Sequence, residues 1–223
     1  MADKEILIFV EGPSDKVFLE VYLYFLEDFP IKNFKVKDVK GKDNLSKRLL
    51  EIEKYDKTLI IFDANKDYES NKKEILTVVS KRKQTISEEQ IFLFPNNQDD
   101  GDLETLLLEI AKHDEFLKCF ESYLECIKSK EHHEPIKNIR KNMLYAYLEV
   151  FELQKFFQYK WDTNNKKQEK CLIDDKGKIK EKNKEEYEKL KEVIDFNSKS
   201  LIPLKNFLGQ FAENKQKTKL KIF

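Results

Sequence analysis

The sequence predicts an α/β fold, a mostly parallel sheet with helices on both faces, followed by a mainly helical, basic extension. Short apolar runs alternate with helix-length amphipathic stretches through residues 1–127, in the order βαβαβαβα. Beyond residue 128 the strand-like runs cease and charged, helix-length stretches replace them. With 40% hydrophobic residues, 38% charged residues and only 5 Gly and 5 Pro, the chain can bury a core and still carry long solvated helical faces, which excludes a disordered polymer.

Each element has a local reason. The run "EILIFV" (5–10) is a short strand ending at Glu11. In "SDKVFLEVYLYFLEDF" (14–29), apolar residues at 17, 18, 21, 24 and 25 mark one helix face, with Ser14 as candidate cap after Pro13. "FKVKDV" (34–39) alternates as a half-buried strand, and "NLSKRLLEIEKY" (44–55) is a helix that Asn44 is placed to cap. "TLIIF" (58–62) is a fully apolar strand ending at Asp63, and "SNKKEILTVVSKRK" (70–83) is helical. "IFLFP" (91–95) is a strand stopped by Pro95, and a Leu-rich helix runs from Leu103 to about Ile127. In the second half, 136–161 forms one or two helices and "DDKG" turns a small hairpin within a charged stretch, 162–192. The apolar "LIPLKNFLGQF" (201–211) docks on the core. The boundary near 126–135 is soft, so residues 1–127 and 128–223 are expected either as two units or as one packed body.

The charge is unevenly spread. Residues 1–125 carry 19 Lys and Arg against 27 Asp and Glu, whereas residues 126–223 carry 23 against 15. An acidic half joined to a basic half suits an acidic metal site beside a surface for a polyanion, although a Lys-rich solvated helix face gives the same numbers. No apolar run reaches the roughly 20 residues of a membrane span. The N-terminal "MADKEILIFVEG" lacks the pattern of a secretion signal, and three Cys make no disulfide framework, so a cytoplasmic protein is expected.

The densest chemistry lies in "FLFPNNQDDGDLETLLLEI" (92–110), which places Asp99, Asp100, Asp102 and Glu104 where a strand hands over to a helix. Two readings are open. Acidic residues favour helix N-termini, where free N–H groups welcome negative charge. Alternatively, clustered carboxylates hold a cation that cancels their repulsion. In a parallel sheet, sites lie outside the carboxyl ends of the strands. Glu11, Asp63 and this cluster all follow strand ends, which favours a site.

The stretches "VEGPSD" (10–15), "IIFDANKD" (60–67) and "GDLE" (101–104), in that order on alternating strands, resemble the Toprim domain over about residues 4–125. That domain is shared by topoisomerases, bacterial primases, small ribosomal-RNA maturases and the overcoming-lysogenization-defect nucleases. Within it, "FLFPNNQDDGDLETLL" looks most like a small stand-alone bacterial group similar to the nuclease branch. The resemblance implies metal-dependent phosphodiester cleavage with Mg²⁺ or Mn²⁺. Glu11 matches the glutamate that serves as metal ligand or general acid/base, and Gly12 permits close backbone approach. Asp15 matches a second acid, Asp63 the first aspartate of an Asp-x-Asp pair, and Asp102 or Glu104 the third acidic cluster. Asn65 replaces the second aspartate of that pair, ligating through a neutral oxygen, with Asp67 two residues on to supply charge. Mg²⁺ prefers such oxygen ligands, and paired ions clamp the attacking and leaving oxygens of a phosphodiester.

Lys205 is the candidate to stabilise developing phosphate charge. Nucleic acid is the expected partner, in genome maintenance or phage defence. The chain has no P-loop, so an ATP-coupled cycle requires a separate ATPase or regulatory partner; an oligomer is compatible. The non-enzymatic rival is a nucleic-acid- or nucleotide-binding module, or an effector held by a partner. A phosphoacceptor receiver is disfavoured, because it needs a fifth strand ending in Lys. "DANKDYESNKKE" (63–74) fails as an EF-hand, with Tyr68 where Gly is required. Cys119 and Cys126, seven apart, read as core packing; Cys126 with His132 and His133 is a weak zinc pattern.

Overall fold

The computed structural model describes residues 6–26, 34–80, 86–131, 136–153 and 184–211. The end of the first expected helix, the "DDKG" turn, His132 and His133 lie outside the described residues.

Strands β1 (Ile6–Val10), β2 (Phe34–Asp38), β3 (Lys57–Asp63) and β4 (Ile91–Phe94) form one sheet in the order β2-β1-β3-β4, with every pairing parallel. Parallel neighbours need crossovers, and the helices between them provide these. They are α1 (Pro13–Phe25), the short α2 (Leu45–Arg48) and α3 (Tyr68–Ser80), while α4 (Leu103–Glu109) follows β4.

Successive strand residues point to opposite faces. Ile8, Val10, Leu59, Ile61, Phe92 and Phe94 therefore enter one core with α1 and α4. Leu7, Phe9, Ile60, Phe62 and Leu93 enter a second core with Leu45 and Leu49 of the α2 region and Ile75 and Val79 of α3. Both faces are buried over β1, β3 and β4, which is why these strands read as continuous apolar runs, whereas the edge strand β2 alternates.

Among the described residues, four further helices follow: α5 (Asp114–Lys128), α6 (Ile139–Val150), α7 (Lys184–Val193) and α8 (Ile202–Gly209). Leu144 and Leu148 of α6, Tyr187 and Leu190 of α7, and Leu204 and Phe207 of α8 join the first core. The Phe207 ring lies 5.3 Å from that of Phe92. Each such buried side chain contributes roughly 1.5–3 kcal/mol relative to exposure.

The local expectations change in several places. Gly12, not Ser14, is the N-cap of α1; Pro13 follows it, and Asp15 reaches back to the Gly12 N–H at 2.7 Å. Gly41, at φ 97°, turns the chain off β2 so that a 3₁₀ turn starts at Lys42, ahead of Asn44. Asn44 holds the N-cap position of α2 as expected but makes no side-chain cap bond, its Nδ2 donating instead to the Lys40 carbonyl, and a second 3₁₀ stretch, Leu49–Lys54, continues from α2.

The single helix expected from 103 to 127 is two, because the chain after α7 takes the backbone groups at the break. The Asp195 N–H donates to the Ile110 carbonyl at 2.7 Å, and the Lys112 N–H donates to the Val193 carbonyl at 2.9 Å. Cys119 and Cys126 are exposed on α5 rather than packed in a core. Among the described residues no helix is long and apolar enough to cross a membrane.

Candidate functional site

The register sets the edge from which the site is built. Val10 pairs with Ile61, and Asp63 pairs with Phe94, so the residues after β1, β3 and β4 emerge at the same carboxyl end of the sheet. The chain after β4 folds back onto the end of β3 through Gly101. Its carbonyl accepts the Asn65 N–H at 2.6 Å, and an antiparallel bridge joins the two residues. Gly101 sits at φ 150°, and a Cβ there would meet Pro95 Cδ at 2.9 Å and Thr105 Oγ1 at 3.0 Å. Only glycine fits that approach.

Four carboxylates meet one another's fields at this edge: Glu11, Asp15, Asp63 and Glu104. Burial is the largest cause of the upward pKa displacement of each. Asp15 is pushed up to about 7 by burial and by Glu104 and Glu11, opposed by the Gly12 N–H and Lys141. Asp63 is raised well above its ordinary value by burial, then by Asp15, Glu11 and Glu104, although the Leu103 N–H donates to its Oδ1 at 2.9 Å. Burial raises Glu11; the Asp63 backbone and Lys42 pull the other way. Burial and Asp102 raise Glu104, against its own backbone N–H, Lys141 and Arg140. Glu11 Oε2 is buried and has no hydrogen-bond partner among the described residues.

The four acids after β4 divide between the two readings of them. Asp99 accepts from Asn96 Nδ2 at 2.7 Å within the turn. Asp100 accepts the Tyr68 N–H at 2.8 Å and so caps α3 from 32 positions away. Asp102 caps α4, accepting from the Thr105 N–H at 2.9 Å, and its Oδ2 pairs with Arg140 at 3.0 Å. Glu104, in the first turn of α4, joins the carboxylate group.

Other expected site residues stand elsewhere. Asn65 occupies the left-handed region at φ 57°, is exposed, and donates from Nδ2 to its neighbour Asp63's carbonyl at 3.4 Å, so its local work is that of a turn residue. Asp67 is exposed and accepts the Ser70 N–H at 2.9 Å at the start of α3. Lys205 lies exposed on α8. The cations whose fields reach the carboxylates are instead Lys42, just after β2, and Arg140 and Lys141 on α6. Sequence reading missed these three. Only the basic character of the second half hinted that cations would return to the acids. Among the described residues, no group of three or more His, Cys, Asp or Glu side chains is arranged to hold a metal ion; the acids share fields without forming a ready ligand shell.

The family model described as "Protein of unknown function (DUF3226)" matches residues 5–213, nearly the whole chain. The chain belongs to that family. The match runs through the carboxylate edge and α8 alike. No curated protein and no solved structure matches the chain.

Proposed function

We propose that the carboxylate edge takes up a divalent cation, Mg²⁺ or Mn²⁺, and that the protein is a Toprim-like nuclease acting on nucleic-acid phosphodiesters. The observation that carries the reading is Glu11 Oε2, a buried carboxylate oxygen with no hydrogen-bond partner among the described residues, beside three other acids raised by burial. Such a group is costly to keep charged, and a cation relieves both the burial and the repulsion. The residues present meet that demand in charge and in oxygen donors, although their side chains do not converge as a ligand shell among the described residues. Asp15 and Asp63 each engage a backbone N–H through one oxygen, leaving the other for a ligand. Glu104 and Glu11 complete the candidate donor set. Asn65 and Asp67, each occupied with local backbone, fall outside it.

A bound divalent ion supplies charge stabilisation for the phosphodiester oxygens and an acidified water. This chain's residues supply the rest. Glu11, with its pKa raised by burial, is suited to exchange a proton with the reacting groups. The acids after β1, at the end of β3 and after β4 follow the order of the Toprim motifs, which supports that kinship. The biological setting we favour is genome maintenance or phage defence, with any ATPase a separate chain.

A specific observation favours a second reading, a non-catalytic nucleic-acid-binding module: the carboxylates do not form a ready ligand shell, and Asn65 serves a turn. The experiment that separates the readings is a cleavage assay with Mn²⁺ on single-stranded DNA, double-stranded DNA and RNA. Wild type is expected to cut at least one, Glu11→Gln none, and Asn65→Asp at least as well as wild type. Active Glu11→Gln would overturn the mechanism. Wild type that cuts nothing yet binds equally well with chelator would establish the module.

A further inference from the structure

We propose that Lys141, beside Arg140 on α6, is a phosphodiester-binding residue that holds a nucleic-acid strand over the carboxylate edge. This rests on the nucleic-acid reading above and adds a residue from the basic half of the chain.

The geometry begins with α4 and α6. Leu106 and Leu107 of α4 share a core with Leu144 and Leu148 of α6. Arg140 Nη2 meets Asp102 Oδ2 at 3.0 Å, and Asp102 is the N-cap of α4, two positions before Glu104. The first turn of α6 is thereby fixed beside the first turn of α4. Arg140 is committed to that contact.

Lys141 is the next residue, exposed, and forms no ion pair among the described residues; its ammonium lies 5.8 Å from the Tyr145 ring centre, one turn on. It follows Arg140 directly in the first turn of α6, which the Arg140–Asp102 contact holds against the start of α4, and in keeping with that place its charge opposes the upward displacement of Asp15 and Glu104. Lys42, on the Glu11 side, is engaged by Asn71 at 2.5 Å and Glu74 at 2.6 Å.

A phosphodiester approaching several carboxylates is repelled, and a cation at the rim must offset this before any chemistry begins. An ammonium on a flexible stem is a suitable point charge for a phosphate, and an exposed lysine can follow a strand as it enters. A lysine that merely balanced the acids would affect their titration and leave strand affinity unchanged.

The test measures binding of fluorescein-labelled poly(dT) and poly(U) in chelator across a salt titration, for wild type, Lys141→Gln, Lys141→Arg and Lys54→Gln. Lys54 is an exposed control shortly before β3, at the opposite edge of the sheet. Lys141→Gln is expected to weaken binding about threefold to tenfold at low salt and to reduce the salt slope by roughly 0.7, the loss of one phosphate contact to a single strand. Lys141→Arg should retain most affinity, and Lys54→Gln all of it. The DNA and RNA arms show which polymer the site prefers.

Equal affinity and slope for Lys141→Gln and wild type, with both folded by thermal melting, would overturn the assignment. Wild type that binds neither strand would overturn it together with the nucleic-acid reading. Lys141-dependent binding in a protein whose melting ignores Mn²⁺ would leave the assignment standing and remove the metal.

Discussion

Asp63 Oδ1 accepts the Leu103 N–H at 2.9 Å, tying the last residue of β3 to the first residue of α4. One carboxylate therefore closes a strand, satisfies a helix N-terminus and stands among three other acids. The helix N–H favours its charged form while burial and its neighbours oppose it. That conflict is the source of the behaviour expected below.

Stability should fall as pH rises toward neutrality. Asp15 titrates at about 7 in the folded protein, above its unfolded value. The folded state thus binds the proton more tightly, and its stabilising contribution is full below the unfolded pKa and lost as pH rises through about 7. The loss is on the order of 4 kcal/mol between about pH 4 and pH 8. Denaturant unfolding at several pH values should show Asp15→Asn, which keeps the Gly12 bond, losing much of that slope. Parallel curves for the two proteins would contradict the assignment.

Divalent metal should reverse that trend. Empty, the acids repel one another most above neutral pH, where an ion binding only the native state raises stability by mass action. Millimolar Mn²⁺ is expected to raise the melting temperature at pH 8 by several degrees and far less at pH 5.5, with Glu11→Gln blunting the response. An unchanged melting temperature across Mg²⁺, Mn²⁺ and chelator would count against the ion.

Asp102 separates capping from ligation. Asp102→Asn preserves an N-cap acceptor for Thr105 but gives up the ion pair with Arg140 and should cost at most about 1 kcal/mol, whereas Asp102→Ala should cost about 1–2 kcal/mol more through the lost cap. Thermal melts measure both. If Asp102→Asn alone abolishes the Mn²⁺ response, the residue is a ligand as well as a cap.

Gly101→Ala should be among the most damaging single-methyl changes in the chain. The added carbon meets the Pro95 ring at 2.9 Å at a φ of 150°, and relief requires moving the turn that lies against Asn65. A loss of about 2–4 kcal/mol is expected by denaturant titration. A variant within about 0.5 kcal/mol of wild type would show that the turn shifts freely.

Much of the fold is legible in the sequence because strands buried on both faces leave compact apolar runs such as Leu59–Phe62 and Phe92–Phe94. The parallel arrangement then carries Glu11, Asp63 and Glu104 to one edge without further information. What local pattern does not encode is how distant backbone groups are shared. Asp100 serves Tyr68, and Asp195 engages Ile110 and so divides α4 from α5. Both contacts arise only after collapse. Arg140 and Lys141 were hidden for the same reason, since their relevance comes from α6 packing beside α4 and not from any motif around them. The turn role of Asn65 did carry a local signal: asparagine tolerates the left-handed region better than most residues.

The shared core of the sheet and the later helices bears on how this protein can be cut. Phe92 rests against Phe207, and Ile8, Leu59 and Phe94 lie in one cluster with Tyr187, Leu190 and Leu204. A fragment ending near residue 127 would keep α1 and α4 over that face but uncover the apolar surface against which α6, α7 and α8 pack, Phe92 included, inviting aggregation. The carboxylate edge is therefore not a portable cassette. Grafting its motifs onto another protein would require carrying the distant helices along with the acids.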